Sequence, residues 1–147
     1  MENENVISIL NELLTKNYDA EKGYQEASEK IDHSVLKTYF QEQSKNRYDF
    51  GHQLKELITK YGGVPDKGTS VAADLHRVWI SIKEAFDNGD KAVYDECIRG
   101  EEAFISDYER IIASEILPAD VKNTILSQKD AAEKALNSLY SLECFTQ

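Results

Sequence analysis

The chain has 147 residues and a formal net charge of −10 at pH 7, a length that suits one domain, spanning 1–147, able to hide roughly 70% of its unfolded surface. Its basic residues are scattered, which argues against a nucleic-acid backbone or an anionic membrane as partner, since both need clustered Lys and Arg. The opening Met1-Glu2-Asn3-Glu4-Asn5 lacks the basic start and apolar run of a signal peptide, and no stretch approaches ~18 uninterrupted apolar residues, so a cytoplasmic protein without membrane insertion is expected.

Val6, Leu10, Leu13, Leu14, Tyr24, Ala27 and Ile31 keep a helical period from near the N-terminus to about residue 30. Asn17 and Glu21 fall on the same stripe. Asp32 is placed to cap the next helix, and so short a link makes the two helices antiparallel neighbours. The second helix runs to about Tyr61, with Leu36, Tyr39, Phe40, Phe50, Leu54, Leu57 and Ile58 on one face and Gln43 and Arg47 at its centre. Asp49-x-x-His52 looks like half of a di-iron motif, but at ~100° per residue Asp49 points about 120° and His52 about 180° away from Gln43, toward water.

Gly62-Gly63-Val64-Pro65-Asp66-Lys67-Gly68 ends that helix, because glycine accepts a left-handed C-cap and proline cannot continue the ladder. Ser70 then caps a connecting helix at about 71–86, whose stripe is Val71, Leu75, Val78, Trp79, Ile82 and Phe86, and Asp87-Asn88-Gly89-Asp90 closes it. The third long helix carries Tyr94, Cys97, Ile98, Phe104, Ile105, Tyr108, Ile112 and Ile116 on one face, with Glu101 at the centre. Pro118 suits the first turn of the fourth, whose stripe is Val121, Ile125, Ala132, Ala135, Leu139 and Leu142 around a central Gln128. No strand pattern appears. The layout predicts an all-α, ferritin-like up-down four-helix bundle with a helical crossover between the second and third long helices.

Counted by height from the turn between helices one and two, Glu21, Gln43, Glu101 and Arg47 lie within roughly 7–8 Å along the bundle at helical rise. Asn17 and Gln128 come slightly lower, and Tyr24 borders the layer. In the simplest account Arg47 pairs with both Glu21 and Glu101 in a satisfied ionic layer, which costs desolvation but fixes helix register. The rival account takes Glu21 and Glu101 as the single acids of a di-metal carboxylate site, making an iron or manganese oxidase or ferroxidase. Such sites add a Glu-x-x-His from each of two further helices. Here helix four has no histidine, Gln128 stands where an acid belongs, and the guanidinium of Arg47 cannot be a ligand. A third account is a small-ligand carrier with a pocket at the polar layer.

His76-Arg77-Val78-Trp79 forms a second cluster on the crossover, with Trp79 on the apolar stripe and His76 flanking it as a side chain bonded to the bundle. His33 has no evident role. Cys97 and Cys144 lie far apart with no C-x-x-C pair, so both are expected as thiols, Cys97 as core filler. No Ser or Cys occupies a Gly-rich elbow, and no phosphate loop or dinucleotide fingerprint appears, so no catalytic residue is assigned.

Gly23-Tyr24, Arg47, His76-Arg77-x-Trp79 and Arg99-Gly100-Glu101, in that order and spacing, resemble an uncharacterised bacterial family of ferritin-like four-helix-bundle proteins, a domain of unknown function. The resemblance covers nearly the whole chain. It implies the ferritin-like fold and a bacterial source, and brings no activity with it. The chain departs from metal-binding ferritins and rubrerythrins at both Glu-x-x-His positions. The expectation is therefore a non-enzymatic bundle with no cofactor, stress-related or partner-binding, its partner unknown and a homodimer allowed.

Overall fold

A computed structural model describes residues 2–67, residue 82 and residues 84–142. Four long helices, α1 (Glu2–Lys30), α2 (Ser34–Lys60), α3 (Asp90–Ser114) and α4 (Ala119–Tyr140), account for most of them, and a 3-10 turn at Phe86–Asn88 precedes α3. Among the described residues there is no strand. The expected connecting helix, with the crossover cluster His76, Arg77 and Trp79, lies almost wholly outside the described residues. Of its stripe, Ile82 is buried and Phe86 packs at the core's edge.

Each helix forms because its apolar residues recur at the helical period, and each buries that stripe. Leu10, Leu13, Leu14 and Tyr24 of α1, Leu36, Phe40, Leu54 and Ile58 of α2, Val93, Tyr108 and Ile111 of α3, and Val121, Ile125 and Leu139 of α4 all belong to one buried core. The α1–α2 hairpin turns through residues 31–33. His33, not Asp32, caps α2: its Nδ1 accepts from the backbone N–H of Leu36 at 3.4 Å. Ile31 is buried at the foot of α1 and still bonds to Ala27, so the turn closes one residue later than Asp32 would require.

At the other end of α2 the N–H of Gly63 bonds to the carbonyl of Ile58 and that of Gly62 to Thr59, with Gly62 at φ +88°. This is the Schellman closure, in which a left-handed glycine satisfies carbonyls the helix leaves open. Gly63 is constrained by space instead, since a Cβ there would stand 2.6 Å from Ile7 Cγ2. The chain then runs back beside α1: Asn11 donates to the carbonyl of Val64 and accepts from the N–H of Asp66, and Tyr18 donates to the carbonyl of Asp66.

Helix α3 stops at Ser114, so Ile116, expected on its buried face, is instead 99% exposed. Proline at 118 offers no N–H to the Ser114 carbonyl and its ring would collide with it, which ends the helix before Ile116 can turn inward. Pro118 itself stands just before α4 as its cap residue rather than in the first turn.

Side-chain bridges fix the helix directions. Arg110 reaches Glu12 at 2.7 Å and Lys16 reaches Asp107 at 3.0 Å, which makes α1 and α3 antiparallel. Tyr94 donates to the Leu139 carbonyl and Tyr108 to Gln128, so α3 and α4 are antiparallel too. The order is up, down, down, up: α2 ends where α4 begins, and α3 begins at the opposite end. Asp120 clamps the first of these ends, taking hydrogen bonds from Tyr61 at 2.7 Å and from Lys60.

Those two bonds hold the Asp120 carboxyl down at about 2. A folded value below the unfolded one gives stability that is complete above about pH 4 and lost as pH falls through about 2. Asp120→Asn should therefore be less stable than wild type at neutral pH, and the gap should close between about pH 4 and pH 2. Denaturant melts across that range measure it.

Candidate buried polar site

Arg47 leaves the middle of α2 and is only 1% exposed, as is Glu101 on α3. Its Nη1 donates to Glu101 Oε1 at 2.9 Å and its Nη2 to Glu101 Oε2 at 2.8 Å, the two-point fork that planar guanidinium and carboxylate groups make. One turn back on α2, Gln43 Oε1 accepts from Nη2 at 3.2 Å. A turn before that, the phenol of Tyr39 donates to Glu101 Oε2 at 3.2 Å. Two residues of α2, Arg47 and Tyr39, thus converge on one carboxylate, and Gln43 between them steadies the arginine.

Aromatic rings close the cluster. The guanidinium carbon lies 4.3 Å from the ring centre of Phe104, 5.5 Å from Tyr24 and 5.9 Å from Phe50, placing the buried cation against electron-rich ring faces. Burial works against the charge on Arg47, but the attraction of Glu101 outweighs it and leaves the arginine more basic than usual. Burial, helped by Glu101, raises the Tyr39 phenol, so it stays a hydrogen-bond donor. The Cys97 thiol, 3.6 Å from Tyr24 Oη, is likewise pushed up by burial and then by Glu101. A thiol so held is core filling, not a nucleophile.

About one turn further along the bundle lies a neutral relay. Asn17 Nδ2 donates to the Leu13 carbonyl at 2.8 Å and to Tyr108 Oη at 3.0 Å, and Tyr108 donates to Gln128 Oε1 at 2.6 Å. Gln128 Nε2 then donates to Gln53 Oε1 at 2.9 Å and to the Phe50 carbonyl at 3.2 Å. The path touches α1, α3, α4 and α2 in turn. Burial raises the Tyr108 phenol, so it remains protonated to bridge the two amides.

Of the residues expected in the layer, Asn17, Tyr24, Gln43, Arg47, Glu101 and Gln128 are buried, and they divide between these two clusters. Glu21 belongs to neither and does not pair with Arg47. It sits half-exposed at the α1–α2 edge, where it is Glu21's backbone carbonyl that accepts from the Ser44 hydroxyl, at 3.0 Å. Partial burial raises its carboxyl, with Lys55 and His52 pulling it back down. The physical reason is angular: Glu21 lies about 40° from Asn17 around α1 at ~100° per residue, on the side where α2's outer surface begins. Asp49 and His52 face solvent, and His52 meets the Tyr48 ring edge-on at 4.5 Å.

Glu21 and Glu101 are therefore not brought together. Among the described residues no three His, Cys, Asp or Glu side chains form a group that could hold a metal ion. Tyr39 and Tyr108, the two phenols that complete the networks, counted in the sequence only as members of apolar stripes. Asp19, 4% exposed, lay outside the stripe altogether, about 160° around α1 from Asn17.

The model of one family, described as a domain of unknown function (DUF2383), matches residues 5–114. The chain belongs to this family. No curated protein matches the chain. The DUF2383 match runs from α1 to the last residue of α3, so both partners of the ion pair lie within it, while α4 and Gln128 lie beyond it.

Removing the cation from this DUF2383 core should be costly. Arg47→Met fills the volume but strands the carboxylate of Glu101, and breaking a buried pair in this way costs ~3–5 kcal/mol. A buried carboxyl without a counter-ion favours its protonated form in the fold, so stability is retained at low pH and lost as pH rises. Arg47→Met should fall further below wild type above neutral pH than at about pH 5, as read by denaturant melts at the two pH values. Equal stability at both would show that Arg47 is not the counter-ion.

Proposed function

We propose that this chain is a non-enzymatic, ferritin-like bundle that works by binding a protein partner or in a stress-related role, its middle sealed by an ion pair of its own. The supporting observation is the engagement of Glu101: both its oxygens are taken by the Arg47 fork, and Tyr39 adds a third bond. Neither the acid nor the cation is free for a substrate, and Arg47 takes the place and charge that metal ions have in carboxylate bundles.

The ferritin-like part of the proposal rests on helix direction. With α2 and α3 parallel, the chain between Lys60 and Asp90 has to cross the length of the bundle. The α1–α3 bridges at Glu12 and Asp107 and the end clamp at Asp120 support this order. A bacterial source and a cytoplasmic location belong to the same proposal, and the buried free thiol of Cys97 suits a reducing compartment.

Protein purified without chelator, after growth with added iron and manganese, should hold well under one equivalent of either metal by elemental analysis. A stoichiometric metal that disappears in Glu101→Ala would overturn the proposal in favour of a di-metal carboxylate enzyme.

A further inference from the structure

Val35, Thr38, Tyr39 and Glu42 recur at the spacing that puts them on one face of α2. That face forms one wall of a groove whose other wall is Ser138, in the last turn of α4, and Leu142, just past its end. The groove encloses about 390 Å³, inside the ~300–1,000 Å³ typical of small-molecule sites. Its floor touches the ionic cluster. The Tyr39 ring is held edge-on by Tyr24 and by Phe40, each 6.1 Å away between centres, and its hydroxyl is fixed on Glu101.

The lining divides into an apolar part and a set of acceptors. Val35 is 47% exposed, and Tyr39 and Leu142 extend the apolar surface beside it. Ser138 Oγ already donates to the Lys134 carbonyl at 3.2 Å, so it has lone pairs to offer rather than its proton. The exposed carboxylate of Glu42 has no ion-pair partner among the described residues. The positive end of α2 lies at Ser34, eight residues or ~12 Å along the helix from Glu42, too far to offset that charge, since a helix end acts within about one turn. Charge complementarity therefore calls for a cationic donor on an apolar stem, and a chain of net charge −10 disfavours anions further.

We propose that this groove between α2 and α4 binds a small primary alkylamine, its ammonium on Glu42 and its chain along Tyr39, Val35 and Leu142. The site goes beyond the proposed function and stands or falls separately from it, because it lies outside the sealed ion pair and meets it only through Tyr39.

The test is titration of the isotope-labelled, full-length protein at neutral pH, followed by nuclear magnetic resonance, with n-hexylammonium, hexanol, hexanoate and N-acetyl-lysine methylamide as separate probes. Hexylammonium should shift the Val35 and Leu142 methyl signals and the Tyr39 ring signals saturably, with a Kd on the order of 1 mM. Hexanol should bind more weakly and hexanoate more weakly still. Glu42→Gln, an exposed change that leaves the fold intact, should weaken hexylammonium ~fivefold, the worth of an exposed ion pair, without changing hexanol. No saturable shift with hexylammonium, hexanoate binding as tightly, or an unchanged Kd in Glu42→Gln overturns the proposal. Tighter binding of N-acetyl-lysine methylamide than of hexylammonium also overturns it, assigning the groove to a lysine side chain of a partner protein instead.

Discussion

The fork between Arg47 and Glu101 is the constraint on which the bundle's arrangement depends. It joins α2 to α3, two helices that run parallel, share no hairpin and belong to different antiparallel pairs. Apolar stripes tolerate sliding and rotation of one pair against the other, because burial depends on area rather than direction. A two-point ionic bond does not. Moving either charge out of water costs several kcal/mol, recovered only while the geometry is kept and the remaining hydrogen-bonding capacity is met. Gln43, Tyr39 and the ring faces of Phe104 and Tyr24 meet part of that demand, so a shift of one turn would forfeit several contacts together.

The neutral relay from Asn17 through Tyr108 and Gln128 to Gln53 acts differently. Its bonds are each worth ~0.5–1.5 kcal/mol net, and its members come from all four helices. It orients α4, which otherwise meets α2 mainly at the Asp120 clamp. Both charged residues of the fork fall inside the stretch that matches DUF2383, whereas the relay draws one member from outside it.

Much of this was legible in the sequence because helical periodicity is a strong signal over long amphipathic segments. The stripes placed all four helices, the glycine-rich run ended α2, and polar residues at stripe centres pointed to Arg47, Gln43, Glu101, Asn17 and Gln128. Failures came where angle or chemistry was ambiguous. Glu21 sits at a stripe edge, where a rotation of a few tens of degrees decides between core and solvent. Tyr39 and Tyr108 look apolar in a periodic pattern, yet their hydroxyls complete both networks. Ile116 keeps the period of α3, but a proline two residues on ends the helix locally. Asp19 gave no periodic signal at all.

The ion pair's coupling is what most directly tests its role as the register-setting contact. Denaturant melts at neutral pH of Arg47→Met, Glu101→Gln and the double variant give the interaction energy between the two positions. If the fork fixes α2 against α3, the double variant should be more stable than Arg47→Met alone, with a coupling of ~2 kcal/mol or more, because removing the stranded charge relieves the penalty of burying it. Losses that simply add, to within ~0.5 kcal/mol, would mean that the two residues act independently, and the account of the bundle as organised by this pair would be wrong.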